Sequence, residues 1–202
     1  MQHPLNNIRA RGFTLVELLT VISITTVVML ALTSVIRSFY INNEYLLERT
    51  QSLDSSRRGV ADSIKAIREA SYGDDGSYPI AAAGTSTITV YANIDSDSGV
   101  EKVKYYLSGT TLYKVVYNAA GSPPVYSSTA FSTTTLATYA RNASTTPLFT
   151  YYDTNGTQLA TTSPNIASIA SIKVSLLVDL NPNRAPNVFI LTETATLRNI
   201  KL

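Results

Sequence analysis

Apolar and polar positions along the 202-residue chain fall into three regimes. Residues 13–36 form an almost unbroken apolar run of 24 residues with a single charge, Glu17 at its fifth position. As a helix this run rises about 36 Å, enough to cross a bilayer core with some tilt. From Arg37 the chain turns polar but keeps a helical period. Phe39, Leu46, Leu53, Val60 and Ile67 recur every seven residues, Ile64 joins the same face, and Glu44, Glu48, Arg49, Asp62, Lys65, Arg68 and Glu69 fill the others. That is an amphipathic helix. No proline lies between Pro4 and Pro79, so one helix is predicted from Phe13 to about Tyr72, with a bend expected at Gly59. Heptad spacing also suits a coiled coil. Without matching charges at the flanking positions, packing on the chain's own sheet is the preferred reading.

After Asp74-Asp75-Gly76-Ser77 the period becomes two. Ile88, Val90 and Ala92 alternate with Thr87, Thr89 and Tyr91, and Val103, Tyr105 and Leu107 alternate with Lys102, Lys104 and Tyr106. Leu112 to Tyr117 follows a Ser108-Gly109-Thr110 turn as a further strand. These predict antiparallel strands with one buried face. Residues 118–147 carry no readable period. Leu148 to Tyr152 is a short strand closed by the turn signal Asp153-Thr154-Asn155-Gly156. Ile172, Val174, Leu176, Val178 and Leu180 alternate cleanly, and the loop Asn181-Pro182-Asn183-Arg184-Ala185-Pro186-Asn187 reverses the chain into a last strand with Phe189, Leu191, Ala195 and Leu197 on one face. One long helix followed only by strands predicts an α+β fold, with the outer half of the helix laid on an antiparallel sheet.

Composition narrows the chemistry. Cysteine is absent and the one histidine, His3, precedes the apolar run, so no thiolate site and no histidine-based triad or metal cluster is available beyond it. No enzyme activity and no cofactor are expected. Omitting Arg9 and Arg11 leaves 14 basic against 14 acidic residues, with no basic stripe, so nucleic acid is not an expected partner. Asp95-Ser96-Asp97-Ser98-Gly99 alternates oxygen-bearing side chains before a glycine, which makes Asp95 and Asp97 weak metal candidates; a polar hairpin turn is the preferred reading. The thirteen tyrosines suit strand packing, with a sticky outer face as the alternative.

Glu17 is the residue that needs a purpose. A carboxylate in lipid costs about 2.5–3.5 kcal/mol at mid-bilayer on insertion scales. A cut after Gly12 would place a cationic amine on Phe13, four residues before Glu17, where it can meet that acid or the Glu17 of a neighbouring subunit. The order of a short basic leader, Gly12, Phe13, Thr14-Leu15-Val16, Glu17 and about twenty apolar residues resembles the signal of type IV pilins and type II secretion pseudopilins. That resemblance implies cleavage between Gly12 and Phe13 and methylation of Phe13 by a prepilin peptidase and methyltransferase. It also implies docking through Glu17 and partners among other pilin or pseudopilin subunits and a membrane assembly platform. The C-terminal segment Phe149-x-Tyr151-Tyr152-Asp153-x-x-Gly156, the strand at Ile172-Lys173-Val174 and the ending Leu197-Arg198-Asn199 are similar to J-type pseudopilins and W-type minor pilins.

The expected organisation is a leader at 1–12, a membrane or filament-core half-helix at 13–36, an amphipathic half-helix at 37–73 and a β-rich extracytoplasmic domain at 74–202. Arg9 and Arg11 predict a cytoplasmic N-terminus and a single pass through the cytoplasmic membrane, followed by entry into an extracytoplasmic or surface filament. The expected function is a minor pilin or pseudopilin. A major shaft pilin, an adhesive or DNA-binding pilin, and a plain signal-anchored surface protein are the alternatives. A cleaved secretory signal fits less well, because the apolar run exceeds a 7–15-residue core and no small-residue cleavage site follows. Intact-mass measurement of the membrane-extracted chain is expected to give a polypeptide starting at Phe13; retention of Met1 to Gly12 would overturn the processing reading.

Overall fold

A computed structural model of the chain describes residues 12–95, 97–143, 145–184 and 188–198. The basic leader up to Arg11, residues 185–187 of the last loop and Asn199 lie outside the described residues. The chain divides into two compact units, one ending at Glu48 and one starting at Arg49. A continuous helix, α1 (Leu15–Arg68), contributes to both. It stops a turn before the expected Tyr72. The amide of Glu69 still bonds back to Lys65 O, but that of Ser71 donates to Tyr91 O at 2.9 Å, and this exchange of partners draws the chain out of the helix.

In the first unit the described side chains of α1 are exposed or, at Tyr45, half-buried. Phe39 and Leu46 are 67% and 55% exposed, so the heptad face is not covered there. Burial begins at Ser52 and follows Ser56, Gly59, Val60, Ser63, Ile64, Ala66 and Ile67. The serines widen the buried stripe beyond what apolar periodicity predicts. For two of the three, helix carbonyls accept from the buried hydroxyl: Ser56 Oγ donates to Ser52 O at 2.7 Å and Ser63 Oγ to Val60 O at 2.8 Å, while Ser52 Oγ is buried with no hydrogen-bond partner among the described residues.

The second unit holds an antiparallel five-stranded sheet ordered β1-β2-β3-β4-β7, from β1 (Ile80–Ala83), β2 (Thr87–Ala92), β3 (Glu101–Ser108), β4 (Thr111–Tyr117) and β7 (Ser132–Ala137). A small hairpin joins β5 (Ala119–Ala120) to β6 (Val125–Tyr126). A three-stranded sheet, ordered β10-β9-β8, combines β8 (Phe149–Tyr152), β9 (Ser171–Val178) and β10 (Phe189–Thr196). The architecture is the expected α+β. Val60, Ile64 and Ile67 of α1 share one core with Ile88, Val103 and Tyr105 of the first sheet and Phe149, Ile172 and Leu176 of the second. Tyr151 ties the sheets together: its hydroxyl donates to Gly84 O at 2.7 Å and accepts from Gly84 N at 2.9 Å.

Several local expectations are corrected. Thr89 and Tyr91, placed on an open face by alternation, are 6% and 5% exposed. The Tyr126 ring of the unforeseen β5–β6 hairpin packs 5.0 Å from that of Tyr91. Leu180 does not extend the buried row of β9. The strand ends at Val178, Asp179 is buried instead, and its carboxylate accepts from Asn181 N at 3.1 Å to start the turn. The unreadable stretch contains β7, an edge strand with Ala137 as its one fully buried position, too few to mark a period.

Asp62 fixes the helix on the first sheet. Its carboxylate accepts from the Tyr105 hydroxyl at 2.7 Å and from Lys114 Nζ at 3.0 Å. Burial, with Asp62 beside it, pushes the Tyr105 hydroxyl well above the usual tyrosine range. Gly59 marks a close approach. The helix continues through it, and a Cβ there would stand 2.9 Å from Leu136 Cβ and 3.2 Å from Leu136 O on β7. At an open helix position Gly→Ala gains about 1 kcal/mol. Here overpacking costs about 1–3 kcal/mol. Gly59→Ala is therefore expected to lower the thermal midpoint of the full-length protein in detergent, followed by circular dichroism; a raised midpoint would refute the contact.

Candidate functional site

The candidate site lies at the start of α1. Gly12 and Phe13 precede the helix without regular structure; among the described residues nothing lies within 4 Å of a Cβ built on Gly12, and Phe13 is 80% exposed. The Gly12–Phe13 peptide bond thus lies in an exposed segment outside regular structure. Thr14 caps the helix. Its carbonyl accepts the first intrahelical bond, from Leu18 N at 3.1 Å, and its hydroxyl accepts from Glu17 N at 3.2 Å. Glu17 Oε2 in turn accepts from Thr14 N at 3.5 Å. This reciprocal pair is a capping box, and it answers two amide donors that helix geometry leaves without partners.

Glu17 thus has a local partner within its own chain, and a carboxylate in the first turn also suits the positive end of the helix dipole. The sequence signal was Thr-x-x-Glu directly before an apolar run. In the uncut chain the Phe13 nitrogen is an ordinary amide, so the ammonium–carboxylate pair expected after cleavage is not yet available.

Further along, every hydroxyl of residues 20–33 turns inward on the helix. Thr20 donates to Glu17 O, Ser23 to Leu19 O, Thr25 to Val21 O, Thr26 to Ile22 O and Thr33 to Met29 O, at 2.7–2.9 Å. Back-bonding of this kind lets hydroxyls enter hydrocarbon with no unsatisfied donor. Among the described residues α1 is the one helix long and apolar enough to cross a membrane.

Asp95 and Asp97 lie in the turn between β2 and β3. Asp95 Oδ1 accepts from Asp97 N at 2.9 Å, Asp97 Oδ1 accepts from Gly99 N at 2.7 Å, and Asn93 Nδ2 donates to Asp97 O at 2.7 Å. A third acid, Glu101, which sequence spacing did not single out, brings its carboxylate within 4.8 Å of theirs. Burial raises the Glu101 carboxyl above the usual range, opposed by the bond that Ile94 N donates to it at 3.0 Å. These three are the residues that could hold a cation; the turn is already closed by its own amides.

Residues 7–33 match the family model described as the prokaryotic N-terminal methylation motif. Comparison of the chain with curated proteins finds no match. The motif supports a type IV pilin-like protein that is processed by prepilin peptidase and assembles with other pilin subunits. Together with the apolar half of α1 it fits a membrane-anchored protein.

Loss of an N-cap side chain costs about 0.5–2 kcal/mol, a factor of about 2–30 in local opening. Thr14→Ala is expected to speed hydrogen exchange at the Glu17 amide by that factor in micelles, and Thr14→Ser to restore protection. Equal rates in all three proteins would mean that the box does not hold the helix start.

Proposed function

We propose that the chain is a minor pilin or pseudopilin, a structural subunit without catalytic activity that helps start or build a type IV pilus or a type II secretion-like filament. The observation that carries the proposal is the open Gly12–Phe13 junction placed directly before a capped helix whose membrane stretch holds one acid, Glu17. Before cleavage Glu17 Oε2 is occupied by Thr14 N. Cleavage and methylation would turn the Phe13 nitrogen into a cation one residue away from that contact. A neighbouring subunit's Phe13 amine then offers Glu17 a full opposite charge in place of a weak amide bond, and in hydrocarbon that difference is large. The exchange would draw the subunit from lipid into a bundle of helices.

Orientation follows from Arg9 and Arg11: leader in the cytoplasm, strands outside. Retention of Glu17 favours a place below the extreme tip, where a neighbour above supplies the amine. The minor-subunit reading leans on the C-terminal similarity, whose Phe149-to-Gly156 segment forms β8 and a turn in which Asp153 Oδ1 accepts from Asn155 N at 2.9 Å and Thr157 N at 2.8 Å.

Glu17→Ala is expected to insert in the membrane and lose its leader at the wild-type rate, yet to be missing from sheared filaments on immunoblots. Incorporation at the wild-type level would refute the docking role. The abundance of the wild-type chain in the same preparations separates a trace minor subunit from a dominant shaft pilin.

A further inference from the structure

The face of the first sheet turned away from α1 carries a groove of about 340 Å³. That volume is at the lower end of the range of about 300–1,000 Å³ for ligand pockets, enough for a short stretch of a linear molecule. Its floor is built by register. Val103 and Tyr105 of β3 point into the core, so Lys102 and Lys104, offset by one, point the other way and stand about 7 Å apart along the strand. Thr89 lies opposite Lys104, and Tyr117 lies opposite Lys102. Ser127 and Ser128, just after β6, complete the lining with Thr87.

Two features of this groove are unexplained by folding. Lys102 and Lys104 are half-buried on one face, yet among the described residues neither forms an ion pair, whereas Lys114 on the opposite face is bound to Asp62 at 3.0 Å. Lys104 Nζ has a tyrosine ring, that of Tyr106, at 5.1 Å. Hydrogen bonds from Ser77, and to the smallest extent the charge of Lys102, hold the Asp75 carboxyl below its ordinary carboxylate range. Two neighbouring ammoniums with so little compensation favour an anion. The rest of the lining is mostly hydroxyl, and Thr87 Oγ1 is buried with no hydrogen-bond partner among the described residues.

We propose that this groove binds an acidic polysaccharide, with uronate carboxylates on Lys102 and Lys104 and sugar hydroxyls on the threonine and serine lining. Nucleic acid offers charge as well, but single strands are held by stacking on free aromatic faces and by many phosphate contacts. Here the Tyr106 ring is stacked on Tyr113 at 5.3 Å and Tyr91 is covered by Tyr126, which leaves Tyr117 as the lining's single aromatic ring among the described residues, too few for successive bases to stack on. Acids and bases are balanced at 14 each once Arg9 and Arg11 are set aside. Hydroxyls beside two cations suit a uronate chain better than a polyphosphate.

Calorimetric titration of the full-length protein in detergent with tetragalacturonate tests this. Expected are saturable binding that weakens as sodium chloride is raised, little binding of neutral cellotetraose, and at least about a tenfold loss in the Lys102→Gln/Lys104→Gln variant, since each lysine would contribute a charged hydrogen bond. Lys173→Gln on β9 should bind as the wild type does. Footprinting of the unsubstituted protein checks the same site: tetragalacturonate should shield Lys102 and Lys104 from acetylation and leave Lys65 and Lys173 reactive. Absence of saturation, equal affinity of the double variant, uniform acetylation, or tighter binding of oligodeoxythymidylate at the same lysines would overturn the proposal.

Discussion

A polypeptide that crosses lipid must answer its own hydrogen-bonding groups, because hydrocarbon offers none, and this constraint governs the N-terminal part of the chain. The backbone meets it by remaining helical from Leu15 onward. The side chains meet it by folding back: Thr20, Ser23, Thr25, Thr26 and Thr33 all spend their hydroxyls on carbonyls of the preceding turn. Glu17 alone has a charge that a neutral carbonyl cannot satisfy. Its bond with Thr14 N is long, at 3.5 Å, and belongs to the last exposed donors of the helix start. A carboxylate held this loosely is the one group in the stretch with something to gain from a better partner.

In the second unit the same device serves a different end. Ser56 and Ser63 hide their hydroxyls within α1, so the helix can present a stripe of small residues to the strands. Small size brings the surfaces close, to the point that a methyl group at Gly59 would strike Leu136. Close packing of a smooth stripe does not by itself choose one sliding register. Asp62 supplies that choice, since the Tyr105 hydroxyl and Lys114 ammonium reach its carboxylate in only one placement of helix on sheet. A half-exposed ion pair adds little to stability. Its value lies in the arrangement it selects.

What the amino-acid pattern revealed follows from how each element is buried. β9 is covered on one face and open on the other, so Ile172, Val174, Leu176 and Val178 announce it. β7 is an edge strand with a single buried residue, and β5 and β6 are two residues each, so neither leaves a period to read. Alternation failed at Tyr91 because the ring that covers it, Tyr126, comes from that same unreadable stretch. The buried serines carry no apolar signal because periodicity counts apolar residues, while the helix also buries residues that are merely small, two of the three with internally bonded hydroxyls. At the candidate site, Gly12, Phe13 and Glu17 were legible as a motif, but the Thr14 cap was not, although Thr-x-x-Glu before an apolar run signals it. Glu101 was missed because it lies on a strand, outside the turn that holds Asp95 and Asp97.

These differences also explain why the two ends of the chain carry information so unequally. The N-terminal segment has to satisfy a peptidase, a bilayer and neighbouring helices with the same few side chains, so its order and spacing are tightly bound and a match over residues 7–33 is recognisable. The strands answer mainly to their own core, which many sequences of suitable size and pattern can fill. A fold of this kind constrains function weakly. Specific chemistry in the second unit therefore has to be sought where core requirements are silent: on the outer face of β3, at half-buried cations that form no ion pair among the described residues, and not among the residues that make the strands readable.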